Sequence, residues 1–142
     1  MHTLTVPAVM ERFKEMNDFI ERESLAAGFD RKTTNKILLA GEEILVNVIH
    51  YAYSNGGDLT ISCGPAPGAG GIVIEISDSG VAFNPLDAGE PDLSLPVEER
   101  PIGGLGIFMV KNIMDEVRYK RENGRNVFTM TKRLPGEGSA DS

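Results

Sequence analysis

Apolar residues recur along this chain in two rhythms, every second position or every third to fourth, and the switches between them mark its elements. Residues 2–9, HTLTVPAV, alternate as a short strand ending near Pro7. From Val9 to about Ala27, the positions Val9, Phe13, Met16, Phe19, Ile20 and Leu25 follow helical spacing, and Gly28 is the stop. Asp30 stands where a cap belongs for a second helix, from about Arg31 to Tyr53, with Ile37, Leu38, Ile44, Leu45, Val48 and Ile49 among its apolar members. SNGGD breaks it. Two strands follow, Asp58 to Cys63 and Gly71 to Ser77, joined by the turn-forming GPAPGAGG. A third helix from about Leu105 to Met114 precedes two last strands, Glu116 to Arg121 and Val127 to Arg133, linked by the hairpin signal ENGR. Between Leu86 and Pro101 no period holds. Prolines 91, 96 and 101 and several acids fill a stretch whose length marks a mobile lid over a site.

This order predicts an α+β fold: a two-layer α/β sandwich with a mixed, mainly antiparallel sheet and helices on one face. Strict strand–helix alternation, the mark of a dinucleotide-binding fold, is absent. Residues 1–134 read as a single domain and 135–142, PGEGSADS, as a disordered tail.

Composition narrows the setting. A chain of 142 residues suits one core. A net charge of −7 argues against nucleic acid as a direct partner, because phosphate backbones need a basic face. No apolar run is long enough to span a membrane, and the N-terminus lacks a secretory pattern. Cys63 is the single cysteine, which fits a reducing, cytoplasmic setting. It reads as a small strand residue, with no basic sequence neighbour to activate it as a nucleophile.

Three stretches carry candidate chemistry. In EEILVNVIHYAY, Glu43 and Asn47 lie one helical turn apart on the same face, surrounded by Ile44, Leu45, Val48 and Ile49. The pair reads either as a solvated polar stripe or as a partly buried site, with the Asn47 amide oxygen available to a magnesium ion and Glu43 to a proton. In ISDSGVAF, Asp78 and Gly80 end a strand. They form a turn, or a base pocket in which a carboxylate accepts the exocyclic amine of adenine and Gly80 lets a flat ring lie against the backbone. In PIGGLGIF, glycines 103, 104 and 106 open a helix, as a plain cap or as a nest of N–H groups for phosphate. Neither a Walker A loop nor a dinucleotide fingerprint is present. His50 reads as a hydrogen-bonded structural histidine, Tyr51, Tyr53, Phe108 and Met109 as core packing, and the DEVRYKRENGR charges as solvated positions.

Taken in order, Glu-x-x-x-Asn on a helix, Asp-x-Gly at a strand end, a proline-rich lid and Gly-Gly-Leu-Gly opening a helix resemble the GHKL ATPase superfamily, whose histidine-kinase-like domains have a Bergerat-type ATP-binding fold. The resemblance covers about residues 8–134. Within it, EEILVNVIHYAY, DSGVAFNP, GGLGIFMVKNIMDEVRY and NVFTMTKRL look most like the short anti-sigma regulatory factors that are also serine-protein kinases. The resemblance implies ATP and Mg2+, with Glu43 as general base and Asn47 as the magnesium ligand. It puts Asp78 on adenine, with Gly80 and Ala82 in the base pocket. It puts Gly103, Gly104, Leu105 and Gly106 on the phosphates at the lid hinge. Arg100, just ahead of that turn, either reaches a terminal phosphate or is an exposed lid arginine. The implied substrate is a serine on a STAS-domain anti-anti-sigma protein in a partner-switching circuit, and the implied second ligand is a sigma factor held by a kinase dimer. GRNVF stands where many members carry Gly-Thr, with Gly124 displaced. The alternative function is a non-catalytic, nucleotide-gated binding module.

Overall fold

Ile72, Ile74 and Ile76 alternate with Val73, Glu75 and Ser77 along one strand, and this alternation sets the layout of the fold. The computed structural model describes residues 1–68, 70–88 and 104–135. Its strands are β1 (His2–Pro7), β2 (Asp58–Pro65), β3 (Gly71–Asp78), β4 (Glu116–Glu122) and β5 (Arg125–Arg133). Its helices are α1 (Phe13–Ala26), α2 (Arg31–Tyr51) and α3 (Gly104–Ile113). Short 3-10 turns occupy Met10–Arg12 and Pro85–Ala88. The sheet order is β1-β2-β3-β5-β4, and every described pairing is antiparallel. The two-layer α+β sandwich expected from the sequence is therefore observed, without the parallel component that a mixed sheet would carry among these strands.

One face of the sheet meets the helices. Leu59, Ile61, Ile74, Ile76, Phe128 and Met130 pack there against Met16 and Ile20 of α1, Ile37, Ile44 and Leu45 of α2, and Ile107 and Val110 of α3. The other face is polar near β1, where Thr3 meets Ser62 at 3.3 Å and Thr5 meets Thr60 at 2.9 Å. Helix α2 lies between α1 and α3. That central place is what brings Glu43 and Asn47 toward both the end of β3 and the start of α3.

Local chemistry sets the element ends. No side chain caps the start of α1, and the chain enters it through the 3-10 turn, so regular helix begins later than the expected Val9. In contrast, Asp30 Oδ1 accepts the Thr33 N–H at 2.7 Å and starts α2 where expected. This bond holds the Asp30 carboxyl below the usual aspartate range. A lowered folded-state pKa contributes stability above the unfolded value, and that stability is lost as pH falls through the folded one. Asp30→Ala should therefore lower the thermal midpoint at neutral pH, Asp30→Asn should not, and the gap between wild type and Asp30→Ala should close in acid. Thermal melts across pH check this.

The β4–β5 hairpin turns through Asn123 (φ 52°) and Gly124 (φ 76°), both left-handed, as a two-residue primed turn requires. This turn fixes the β4–β5 register, with Glu122 opposite Arg125 and Arg121 opposite Asn126, while on its other edge β5 sets Asn126 opposite Asp78. The stretch 89–103, which holds most of the expected lid, and residues 136–142 of the expected tail lie outside the described residues. Among the described residues no helix is long and apolar enough to cross a membrane.

Candidate active site

Glu43 and Asn47 form one corner of the site. Both are half-buried on α2. Asn47 Nδ2 donates to the Glu43 carbonyl at 2.8 Å and to Glu43 Oε1 at 3.3 Å. The amide nitrogen is thus committed to Glu43, which leaves the Asn47 oxygen as the free donor atom for a hard cation. Gly106 of α3 closes over the pair: a Cβ built there would overlap the Glu43 carboxyl group. Gly106 is therefore glycine because a carboxylate occupies its side-chain space. The expected glycine turn ahead of the helix is, from Gly104 onward, the first turn of α3 itself. Among the described residues no three His, Cys, Asp or Glu side chains gather as a metal cage. Asn47 suits instead a magnesium ion that takes its other oxygens from water and phosphate.

The second corner is a pocket lined by Ile44, Val48, Ile76 and Phe128 together with the polar Asn47, Asp78 and Asn126. Its cavity volume is about 20 Å³, room for about one water and well below the usual range of small-ligand sites, so a base enters only as the rim opens. Asn47 belongs to both corners and joins them. A larger groove, about 340 Å³, opens at the far end of the sheet between Met1, Ala26, Cys63 and Leu134. Its ionisable pair, His2 and Glu23, is bonded to itself at 2.7 Å, and burial pushes the Cys63 thiol up to about 12. The small pocket differs from that groove in gathering Asn47, Asp78 and Asn126.

Asp78 is 3% exposed. Its Oδ1 accepts the Gly80 N–H at 2.8 Å and Asn126 Nδ2 at 3.0 Å. The loop after it is tied to the end of α2, since Val81 N–H donates to the Ala52 carbonyl at 2.9 Å. A Cβ on Gly80 would overlap that same Ala52 carbonyl. The bare side of Gly80 thus receives the C-terminal end of α2, where the sequence reading had placed a flat ring. Tyr53 braces the loop from behind: its hydroxyl donates to the Asp58 carbonyl at 2.6 Å and accepts the Ser79 N–H at 2.7 Å.

The structure brings Glu43, Asn47, Asp78, Gly80 and Gly106 to one end of the sandwich. Ala82 is exposed and does not line the pocket. Gly104 and Leu105 lie in the first turn of α3, whereas Arg100 and Gly103 fall outside the described residues. His50 is exposed and, among the described residues, meets only the edge of Tyr51, so its structural hydrogen bond is not found. Tyr51 is 53% exposed and leans on Phe83 at the pocket rim, not in the core.

Sequence reading missed Asn126 and two arginines. Arg121 Nη1 donates to the Gly80 carbonyl at 2.8 Å. Arg125 spans Ser79 Oγ at 2.8 Å and Ser77 Oγ at 3.0 Å. Both belong to DEVRYKRENGR, whose charges read from sequence as solvated positions. The available signal was Asn126 itself, a poor strand former set inside NVFTMT.

Comparison with known proteins agrees with this fold. A family model described as a histidine kinase-like ATPase domain matches residues 6–132. The serine-protein kinase RsbW of Halalkalibacterium halodurans is 30% identical over 136 residues, covering 92% of this chain and 82% of its own. The serine/threonine-protein kinase BtrW of Bordetella bronchiseptica is 24% identical over 113 residues, 80% of each chain. Among solved structures, the RsbU and RsbW domains of a Mycobacterium tuberculosis protein superpose with a TM-score of 0.60 at 16% identity. That match covers 94% of this chain and 33% of the other, so it speaks for the fold alone. The chain belongs to the histidine kinase-like ATPase domain family and, within it, to the RsbW-type serine-protein kinases.

Proposed function

We propose that this protein is an ATP-dependent kinase that phosphorylates a serine on a STAS-domain anti-anti-sigma protein, acts in the cytoplasm, and as a dimer sequesters a sigma factor. The observation that carries the reading is the seat of the Glu43 carboxyl between Asn47 and Gly106, with Asn47 also lining the pocket that holds Asp78. A base, an oxygen ligand and the N-terminus of a helix meet there.

In this mechanism the adenine enters the pocket and its exocyclic amine donates to Asp78. The backbone N–H groups of the first turn of α3, from Gly104 to Gly106, face the phosphates, helped by the positive end of that helix. Gly103 and Arg100 act on the same phosphates. Asn47 Oδ1 would hold a magnesium ion, which when bound neutralises phosphate charge. The partner's serine loses its proton to Glu43 as its oxygen bonds to the γ-phosphorus. The bond from that phosphorus to the β–γ bridging oxygen breaks, and ADP leaves. Positioning and charge neutralisation supply most of the acceleration in such transfers.

The base pocket is tested by calorimetric titration of the full chain with ATP and with GTP in magnesium buffer. Selective ATP binding is expected. Asp78→Asn should weaken it roughly tenfold to hundredfold, the worth of one hydrogen bond to a charged group. Equal affinity for both nucleotides, or no response to Asp78→Asn, would overturn the assignment of Asp78 to adenine.

A further inference from the structure

Asn126 is 6% exposed and stands in register opposite Asp78. Its Nδ2 donates to Asp78 Oδ1 at 3.0 Å and to the Val81 carbonyl at 2.7 Å. Its Oδ1 accepts the Phe83 N–H at 3.2 Å and the Tyr119 O–H. A carboxamide offers two N–H donors and one oxygen with two lone pairs. All four are taken, so nothing in Asn126 remains for a ligand. Its orientation is fixed as well. Flipping the amide would set Nδ2 against the Phe83 N–H, and Oδ1 against a carbonyl and a carboxylate, like against like.

The consequence falls on Asp78. With Asn126 and the Gly80 N–H both on Oδ1, that oxygen is filled. Among the described residues no donor meets Oδ2, which is the oxygen left to the pocket. The carboxyl is pinned from two sides, by its own loop through Gly80 and by the neighbouring strand through Asn126. A pinned acceptor discriminates more sharply than a mobile one, because a mismatched base cannot be met by turning the side chain away.

We propose that Asn126 is the positioning residue that sets base specificity. By occupying Asp78 Oδ1 it leaves Oδ2 as a fixed acceptor, so the pocket selects a base with an exocyclic amine over one with a carbonyl at that place. The inference rests on the reading of Asp78 as the base contact, and the test separates the two.

Titrations of the full chain with ATP and GTP come first on the wild type. A wild type indifferent to the base overturns the pocket reading, and the inference with it. Given a selective wild type, Asn126→Asp keeps the shape and both acceptor lone pairs. It sets an oxygen where Asp78 and Val81 need donors. ATP affinity should fall roughly tenfold to hundredfold while GTP affinity stays within about threefold, so the ratio collapses. Asn126→Thr, which restores one hydroxyl donor, should keep most of the ratio. A merely structural role would weaken both nucleotides in proportion. That result, or unchanged ATP binding in Asn126→Asp, overturns the inference and leaves the Asp78 assignment standing. Where Asn126→Asp does not fold, Asn126→Thr against Asn126→Val carries the test, since the two differ chiefly by the hydroxyl. Equal ratios in that pair overturn it too.

Discussion

Glu43→Gln should lower phosphoryl transfer by roughly two to four orders of magnitude, the usual worth of a general base, while ATP affinity stays within about threefold of wild type. The argument begins with shape. Gln fills the same space beside Gly106 and still offers an oxygen to the Asn47 amide, so the corner built by α2 and α3 survives. What it loses is the capacity to take a proton. Binding should hold because Asp78, the proposed base contact, lines the pocket and Glu43 does not. Removing a negative charge beside a triphosphate also does not weaken attraction. Transfer of labelled γ-phosphate to a STAS-domain partner, measured beside calorimetric ATP binding, checks both halves. Transfer within tenfold of wild type would mean that the serine proton leaves by another route. A wild type that transfers nothing, yet binds its partner differently with ATP and ADP, would favour the nucleotide-gated module instead.

Much of this site was legible in the sequence, and the missing part has a physical reason. Glu43 and Asn47 could be paired because helical spacing is a local rule, and Asp30 marked the start of their helix. ENGR gave the last hairpin for the same reason: two left-handed residues are readable as such. Asn126 stood out in sequence only as a poor strand former, and its role was not readable, because its partners Asp78 and Val81 lie 48 and 45 positions away and only strand register joins them. Arg121 and Arg125 were misjudged likewise: a charge on a hairpin looks solvated until the sheet order sets β5 beside β3. Gly80 was singled out for a flat ring, and the neighbour the structure shows at its bare side is Ala52. The sequence offers no way to see that Ala52, at the end of α2, fills the place of its missing side chain.

Gly106→Ala should separate folding from catalysis. In the first turn of α3 an alanine is a better helix former than glycine by about 1 kcal/mol, so the thermal midpoint should hold or rise by a few degrees. The new methyl group, however, needs the space of the Glu43 carboxyl group. That group is the far end of a flexible side chain, so it yields before the helix does. At Gly80 the obstacle is the Ala52 backbone, which has no such freedom. The fold therefore survives in Gly106→Ala with its base displaced, and a displacement of about 1 Å can cost on the order of a hundredfold in rate. Melting curves and single-turnover transfer test the two halves. A double-mutant cycle tests the cause. If Gly106 acts by leaving room for Glu43, then adding Gly106→Ala to Glu43→Gln should cost little more than Glu43→Gln alone, because the base is already gone. Full additivity of the two losses would show that Gly106 serves the reaction independently, through the backbone of α3 and not through the carboxylate it makes room for.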